Sequence, residues 1–151
     1  MNNLKIRKAM PHHFEVIALF QVEMALETEG LVLDPQIVEN GVKAILADSS
    51  KGCYYIAEID GKITASLLIT YEWSDWRNAT VYWLQSVYVV KEFRQQGIFK
   101  ALYGHIRNQV NEDPSVAGIR LYADKSNFSA RKVYEKMGLS DEHYTTYEWM
   151  K

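Results

Sequence analysis

The chain has 151 residues, 48% of them hydrophobic and 13% aromatic, which is the size of one domain, 1–151, with enough apolar mass for a full core. Its formal charge of −2 and pI near 6.1 supply no basic field for a phosphate backbone, so nucleic acid is not an expected partner. Cys53 is the single cysteine, which excludes an intrachain disulfide and a multi-cysteine metal site.

Leu4 and Ile6 alternate with Lys5 and Arg7 as a short edge strand. The opening stretch has no long apolar core after its basic residues, and no segment approaches a membrane-spanning length, so the expectation is a cytoplasmic protein with no membrane partner. Pro11 suits the first turn of a helix whose apolar face holds Phe14, Ile17, Ala18, Leu19 and Met24, with Glu15, Glu23, Glu27 and Glu29 on the remainder. Asp34 and Pro35 cap and start a second helix carrying Val38, Val42, Ile45 and Leu46. The period then changes. Cys53–Ile59 and Lys62–Tyr71 read as strands joined by Asp60-Gly61, a strong hairpin signal. Cys53 sits in an alternating apolar run and reads as a buried small hydrophobe. Residues 72–78, EWSDWRN, read as a loop that exposes Trp73 and Trp76, and a strand resumes at about Thr80.

The run Trp83–Val90 is β-prone, and Ile98, Ala101, Leu102, His105 and Ile106 then repeat at helical spacing. Between them lies Arg94-Gln95-Gln96-Gly97. A strand that turns through a glycine into a helix gathers N–H groups at the positive end of a helix dipole, which suits an anion. The helix runs from Gly97 to about Val110. Ile119–Ala123 follows as a short strand. Asn127 is a candidate cap for a last helix with Ala130, Val133, Tyr134 and Met137 on its inward stripe, ended by Gly138. Glu142–Met150 reads as a closing strand. His105 falls on the inner helix face and reads as a core histidine, while His12, His13 and His143 have no metal-ligand spacing, so no metal is expected.

In this order the chain resembles the GNAT superfamily of N-acetyltransferases over most of its length. Arg94, Gly97 and Phe99 stand at the three defined places of that family's pyrophosphate loop, with Phe99 departing from its usual Gly or Ala. Asn127, Ala130, Tyr134 and Gly138 match its Asn-x-x-Ala-x-x-x-Tyr-x-x-x-Gly helix. The resemblance implies an α/β (α+β) fold: a mixed, mostly antiparallel sheet of six to seven strands flanked by four helices, with a splayed parallel pair at the cofactor site. It further implies acetyl-CoA as co-substrate. Main-chain groups of Gln95, Gln96, Gly97, Ile98, Phe99 and Lys100, with the Arg94 side chain, would hold its pyrophosphate. Val87, Tyr88 and Val89 would pair with pantetheine, and Asn127 would hydrogen-bond that arm. Val89 N–H would face the oxyanion, and Tyr134 would protonate the departing thiolate.

The expected reaction is attack by a primary amine of a small molecule. Candidate bases are Glu72, Asp75, Glu23, Glu27 and Glu92, of which Glu72 is the choice; Glu27, Trp73 and Asp75 are the candidate acceptor contacts. Two alternatives stand beside this reading: a catalytically silent CoA-binding sensor, and a transferase acting on peptides. The aromatic tail and the tryptophan loop would suit a homodimer, with a monomer as the alternative.

Overall fold

The structure, a computed structural model, describes residues 3–151; Met1 and Asn2, at the start of the opening stretch, lie outside it. The chain divides into two units, one ending at Arg120 and one covering Leu121–Lys151.

The first unit is built on a five-stranded sheet in the order of the sequence: β1 (Leu4–Lys8), β2 (Cys53–Ile59), β3 (Lys62–Ser74), β4 (Ala79–Val89) and β5 (Val116–Arg120). All neighbours are antiparallel except β4 and β5, which run parallel because α3 (Ile98–Glu112) intervenes. Asp60 and Gly61 both take positive φ (49° and 81°), the geometry of the two-residue hairpin turn that their identities predict. Two helices, α1 (Phe14–Glu29) and α2 (Pro35–Ala47), precede the hairpin. The Asp34 side chain accepts from Gln36 N–H at 2.9 Å and caps α2. Ile17, Val42, Tyr54, Ile56 and Leu68 form one core cluster where these helices meet the sheet. Ile98, Leu102 and Ile106 of α3 are fully buried, each worth about 1.5–3 kcal/mol in apolar transfer.

Four local expectations are corrected. Leu19 is 53% exposed; the buried face of α1 is Ile17, Ala18, Phe20, Gln21 and Ala25, and Gln21 fits there by donating to the Ile17 carbonyl at 3.2 Å. Glu72, Trp73 and Ser74 belong to β3, paired with Val81, Thr80 and Ala79, so the expected loop shrinks to the turn at 75–78. β5 lies at Val116–Arg120, three residues earlier than the apolar run 119–123 suggests, because its ladder with β4 begins at Thr80↔Val116. The tail 142–150 forms no strand, since β-propensity without a ladder partner does not make one, and the sheet therefore has five strands.

The second unit holds α4 (Phe128–Lys136), capped by Asn127, whose Oδ1 accepts from Ala130 N–H at 3.2 Å. Arg131 is ion-paired with Asp141 at 3.2 Å. Among the described residues no helix is long and apolar enough to cross a membrane.

Candidate active site

The site is set by what happens to β4 after Trp83. Its ladder with β5 covers only Thr80–Trp83, yet β4 continues to Val89, so its last six residues have β3 on one side and no β5 partner on the other. On the β3 side, Leu68 faces Gln85 and Ser66 faces Tyr88: one residue of β3 stands against two of β4, Ser86 and Val87. Ser86 has φ 51°, and this β-bulge falls just past Trp83, the last β4 residue paired with β5. Nothing in the identity of a serine signals it.

Alternation settles which groups face the open edge. Val90 N–H donates to the Thr64 carbonyl at 2.9 Å, towards β3, so the N–H and C=O of Val89 point the other way. The chain then makes a short 3₁₀ turn, Lys91–Phe93, and passes through Gln95 (φ 61°) and Gly97 (φ 79°) into α3. Two residues of left-handed φ thus stand just ahead of the helix N-terminus, a turn geometry that suits an anion-binding nest. Gln95, Gln96, Gly97 and Lys100 are exposed, while Ile98 is buried and anchors the first turn. Phe99 packs beside Tyr103, ring centroids 6.3 Å apart, so this departure from the family pattern is absorbed by the helix side.

Beside the end of β4 lies a cleft of about 460 Å³ between α1 and residues 88–92, lined by Glu23, Leu26, Glu27, Tyr88, Val90, Lys91 and Glu92. Tyr88 is buried, stacks against Phe20 at 5.0 Å and donates its hydroxyl to Glu23 Oε2 at 2.8 Å. Burial and the adjacent carboxylate push the Tyr88 phenol up to about 12, so it stays a donor at any working pH. Arg94 grips both oxygens of Glu27, Nη2 to Oε2 at 3.0 Å, and its Nε donates to the Val89 carbonyl at 2.8 Å. The Arg94 hydrogen bonds hold the Glu27 carboxyl below its ordinary value, and Glu27 in turn raises the guanidinium.

The expected residues separate into groups. Val87, Tyr88, Val89 and 94–100 come together around the open edge and the nest, with Glu23, Glu27 and Glu92 at the adjoining cleft. Glu72, Trp73 and Asp75 do not join them. They stand at the β3–β4 turn, where Glu72 faces Val81, eight residues and about 25 Å along β4 from Val89. Glu72 accepts from Trp83 Nε1 at 2.9 Å and from Arg120 Nη1 at 2.7 Å, and these donors lower its pKa. A carboxylate so held is a structural tie and a weak base. Asp75 accepts from the Trp76 amide at 2.9 Å, and Trp73 is 64% exposed. In the second unit Tyr134 is half-buried on α4, and burial raises its phenol pKa. His105 is half-buried beside Tyr55 and Gln109, as its place on the helix suggests. Cys53 is half-buried, and desolvation raises its thiol.

The acetyltransferase (GNAT) family model matches residues 18–139. The chain belongs to the GNAT acetyltransferase family. It is 41% identical to a possible acetyltransferase from Clostridium difficile 630, whose structure superposes with a TM-score of 0.93 over 98% of this chain and 97% of that one. An uncharacterised N-acetyltransferase of Methanocaldococcus jannaschii is 35% identical over 89 residues, covering 59% of this chain and 53% of that protein, so the match spans about half the length of that relative. A predicted acetyltransferase from Clostridium acetobutylicum, solved with acetyl-CoA, shares the fold at 20% identity and a TM-score of 0.73, over 98% of this chain and 94% of that one. The GNAT assignment accords with the short parallel β4–β5 ladder and the left-handed turn before α3.

Proposed function

We propose that this GNAT protein transfers the acetyl group of acetyl-CoA to a small cationic primary amine, by direct attack with both substrates bound. The observation that carries the reading is the end of β4. A bulge and a departing β5 leave Val89 N–H on an open edge, a few residues before a nest at the head of α3. The residues fit the cofactor: an extended amide-bearing arm adds to a strand edge, and a pyrophosphate suits converging amides on a helix dipole. Val87, Tyr88 and Val89 are assigned to the arm and the main chain of 95–100 to the pyrophosphate. When bound, acetyl-CoA supplies the thioester carbonyl and a thiolate leaving group.

Val89 N–H would donate to the carbonyl oxygen as negative charge develops on it, a contribution of roughly 3 kcal/mol for one well-placed donor. The roles of Asn127, a pantetheine contact, and of Tyr134, the acid for the thiolate, rest on the motif of their helix. A phenol whose pKa is raised by burial stays protonated and suits that task. The acceptor reading rests on the cleft, where Glu27 is paired with Arg94 and the remaining carboxylates, Glu23 and Glu92, outnumber Lys91 and favour a cation. Glu27 is committed to Arg94 and Glu72 lies at the far end of β4, so Glu23, oriented by the Tyr88 hydroxyl, is assigned the amine proton.

The test is free thiol released from acetyl-CoA with a panel of monoamines, diamines and short peptides. Diamines should be the better acceptors, with Glu23→Gln lowering kcat as well as raising their KM. Turnover on peptides alone would move the acceptor class to polypeptides, and CoA binding with no thiol from any amine would leave a sensor.

A further inference from the structure

α1 is apolar on both sides. Ile17, Ala18, Phe20, Gln21 and Ala25 form its buried face, but Leu19, Val22 and Leu26, at i, i+3 and i+7, make a second stripe that faces outward. Leu19 and Leu26 are more than half exposed, and the segment that leaves the helix adds Leu31 and Val32, the latter 87% exposed. Leu31 N–H donates to the Ala25 carbonyl at 3.1 Å, which holds that segment against the end of α1. A helix that is apolar all round is ordinarily covered all round; among the described residues this one is covered on one side only. Beside the stripe a crevice of about 240 Å³ opens between α1 and α2, lined by Glu15, Ala18, Leu19, Val22, Pro35 and Glu39.

The charge around the stripe has one sign. Residues 14–48 hold seven carboxylates and one lysine, a net −6, while the rest of the chain, with 12 carboxylates and 16 Lys and Arg, is +4. α1 itself has four glutamates and no basic residue. Glu27 and Glu39 are paired with Arg94 and Lys43, whereas Glu15 and Glu29, towards the two ends of the helix, have no ion-pair partner among the described residues. These charges select the occupant. An anionic membrane surface is repelled. A second copy presenting the same face would set like charges against each other. A helix with leucines on one face and basic residues along its flanks matches both the stripe and its rim.

We propose that the outward face of α1, together with the α1–α2 crevice, docks a basic amphipathic helix of a partner protein. One apolar side chain of the partner enters the crevice, and its basic residues meet Glu15 and Glu29. The stripe from Leu19 to Leu26 is about 10 Å long, so about three turns of partner helix cover it. The face adjoins the acceptor cleft only at Leu26, and the inference does not depend on the acetyl-CoA reading.

The probe is a synthetic peptide of about 18 residues, long enough to be helical, with leucines at i, i+3, i+4 and i+7, arginines on the flanks and a blocked N-terminus. It has no primary amine, so it cannot serve as an acceptor. Fluorescence anisotropy of the labelled peptide should show one bound per chain, with affinity that falls as salt rises. Leu19→Ser and Glu15→Lys should each weaken binding about tenfold. Both variants should keep the native fold and the native rate on small amines, because Leu19 and Glu15 belong neither to the core nor to the acceptor cleft. In the native protein, amide resonances that move on binding should fall within 15–39. The proposal is overturned if the arginine peptide does not bind, if a glutamate version binds as tightly, or if both variants bind like the native protein, since that is unspecific attraction to an acidic surface. It is equally overturned if the protein dimerises and Leu19→Ser makes it monomeric, for the occupant is then a second copy. A native protein that acetylates nothing would remove the transferase reading and leave each of these binding outcomes as decisive as before.

Discussion

Gly97 tests the anion site because its two demands can be set against each other. Its φ of +79° is left-handed, yet a Cβ built there meets nothing within 4 Å, so a substitution costs backbone strain and no steric clash. Asn and Asp tolerate this region best among residues with side chains, and they share a shape, so Gly97→Asn and Gly97→Asp carry the same strain and differ only in charge. In the protein alone, a carboxylate at the head of α3 is favoured by the helix dipole by about 0.3–1 kcal/mol. The Asp variant should therefore melt at or above the Asn variant, by about 1–3 °C for a chain of this size. With CoA the sign reverses. A carboxylate about 4 Å from a phosphate charge is repelled by about 1 kcal/mol in water and about 4 at the effective dielectric near a protein surface, or roughly five- to a thousandfold in affinity. Scanning calorimetry of the free variants and titration with CoA read the two halves, and the affinity gap should narrow in high salt. Equal CoA affinity for the two variants would refute an anion at this helix terminus.

Two further outcomes follow from side-chain partners. Glu72→Gln should leave acetyl transfer intact, because Glu72 lies about 25 Å from Val89 and ties Trp83 to Arg120. Its carboxyl pKa is lowered in the folded state, so the pair stabilises above the ordinary value near 4.5 and loses that as pH falls through the folded pKa. Denaturant titrations should show a deficit of up to about 1 kcal/mol at neutral pH that vanishes in acid, and a collapse of activity would place a base at the wrong end of β4. Ser66→Ala should raise stability by about 1 kcal/mol, since the Ser66 hydroxyl is fully buried with no hydrogen-bond partner among the described residues. A measured loss of stability would mean that this hydroxyl has a partner such as a buried water.

Much of the fold was legible because it is written in local signals. Asp60-Gly61 marks its own turn, Asp34-Pro35 its own helix start, and the change of period at Trp83–Ile106 marks a strand feeding a helix. What was not legible depends on register and on distant partners. The bulge in β4 falls at Ser86 and Val87, inside a β-prone run, and exists because between the Ser66↔Tyr88 and Leu68↔Gln85 pairs one residue of β3 stands against two of β4. The EWSDW segment looks like a mouth to an active site by composition, but pairing through Ser74 carries it to the far end of the strand. Arg94 sits where the family pattern wants it, yet its partners include a glutamate 67 residues upstream that no spacing rule connects to it. The tail 142–150 has the composition of a strand, and composition cannot supply a ladder.

The most direct test of the central claim is the stoichiometry of the reaction: acetyl-CoA and a diamine incubated with the native protein, with free thiol and N-acetylated amine followed together. The two products should appear one for one, and Tyr134→Phe should slow both. CoA bound at the β4 edge with neither product formed, for any amine in the panel, would contradict that claim.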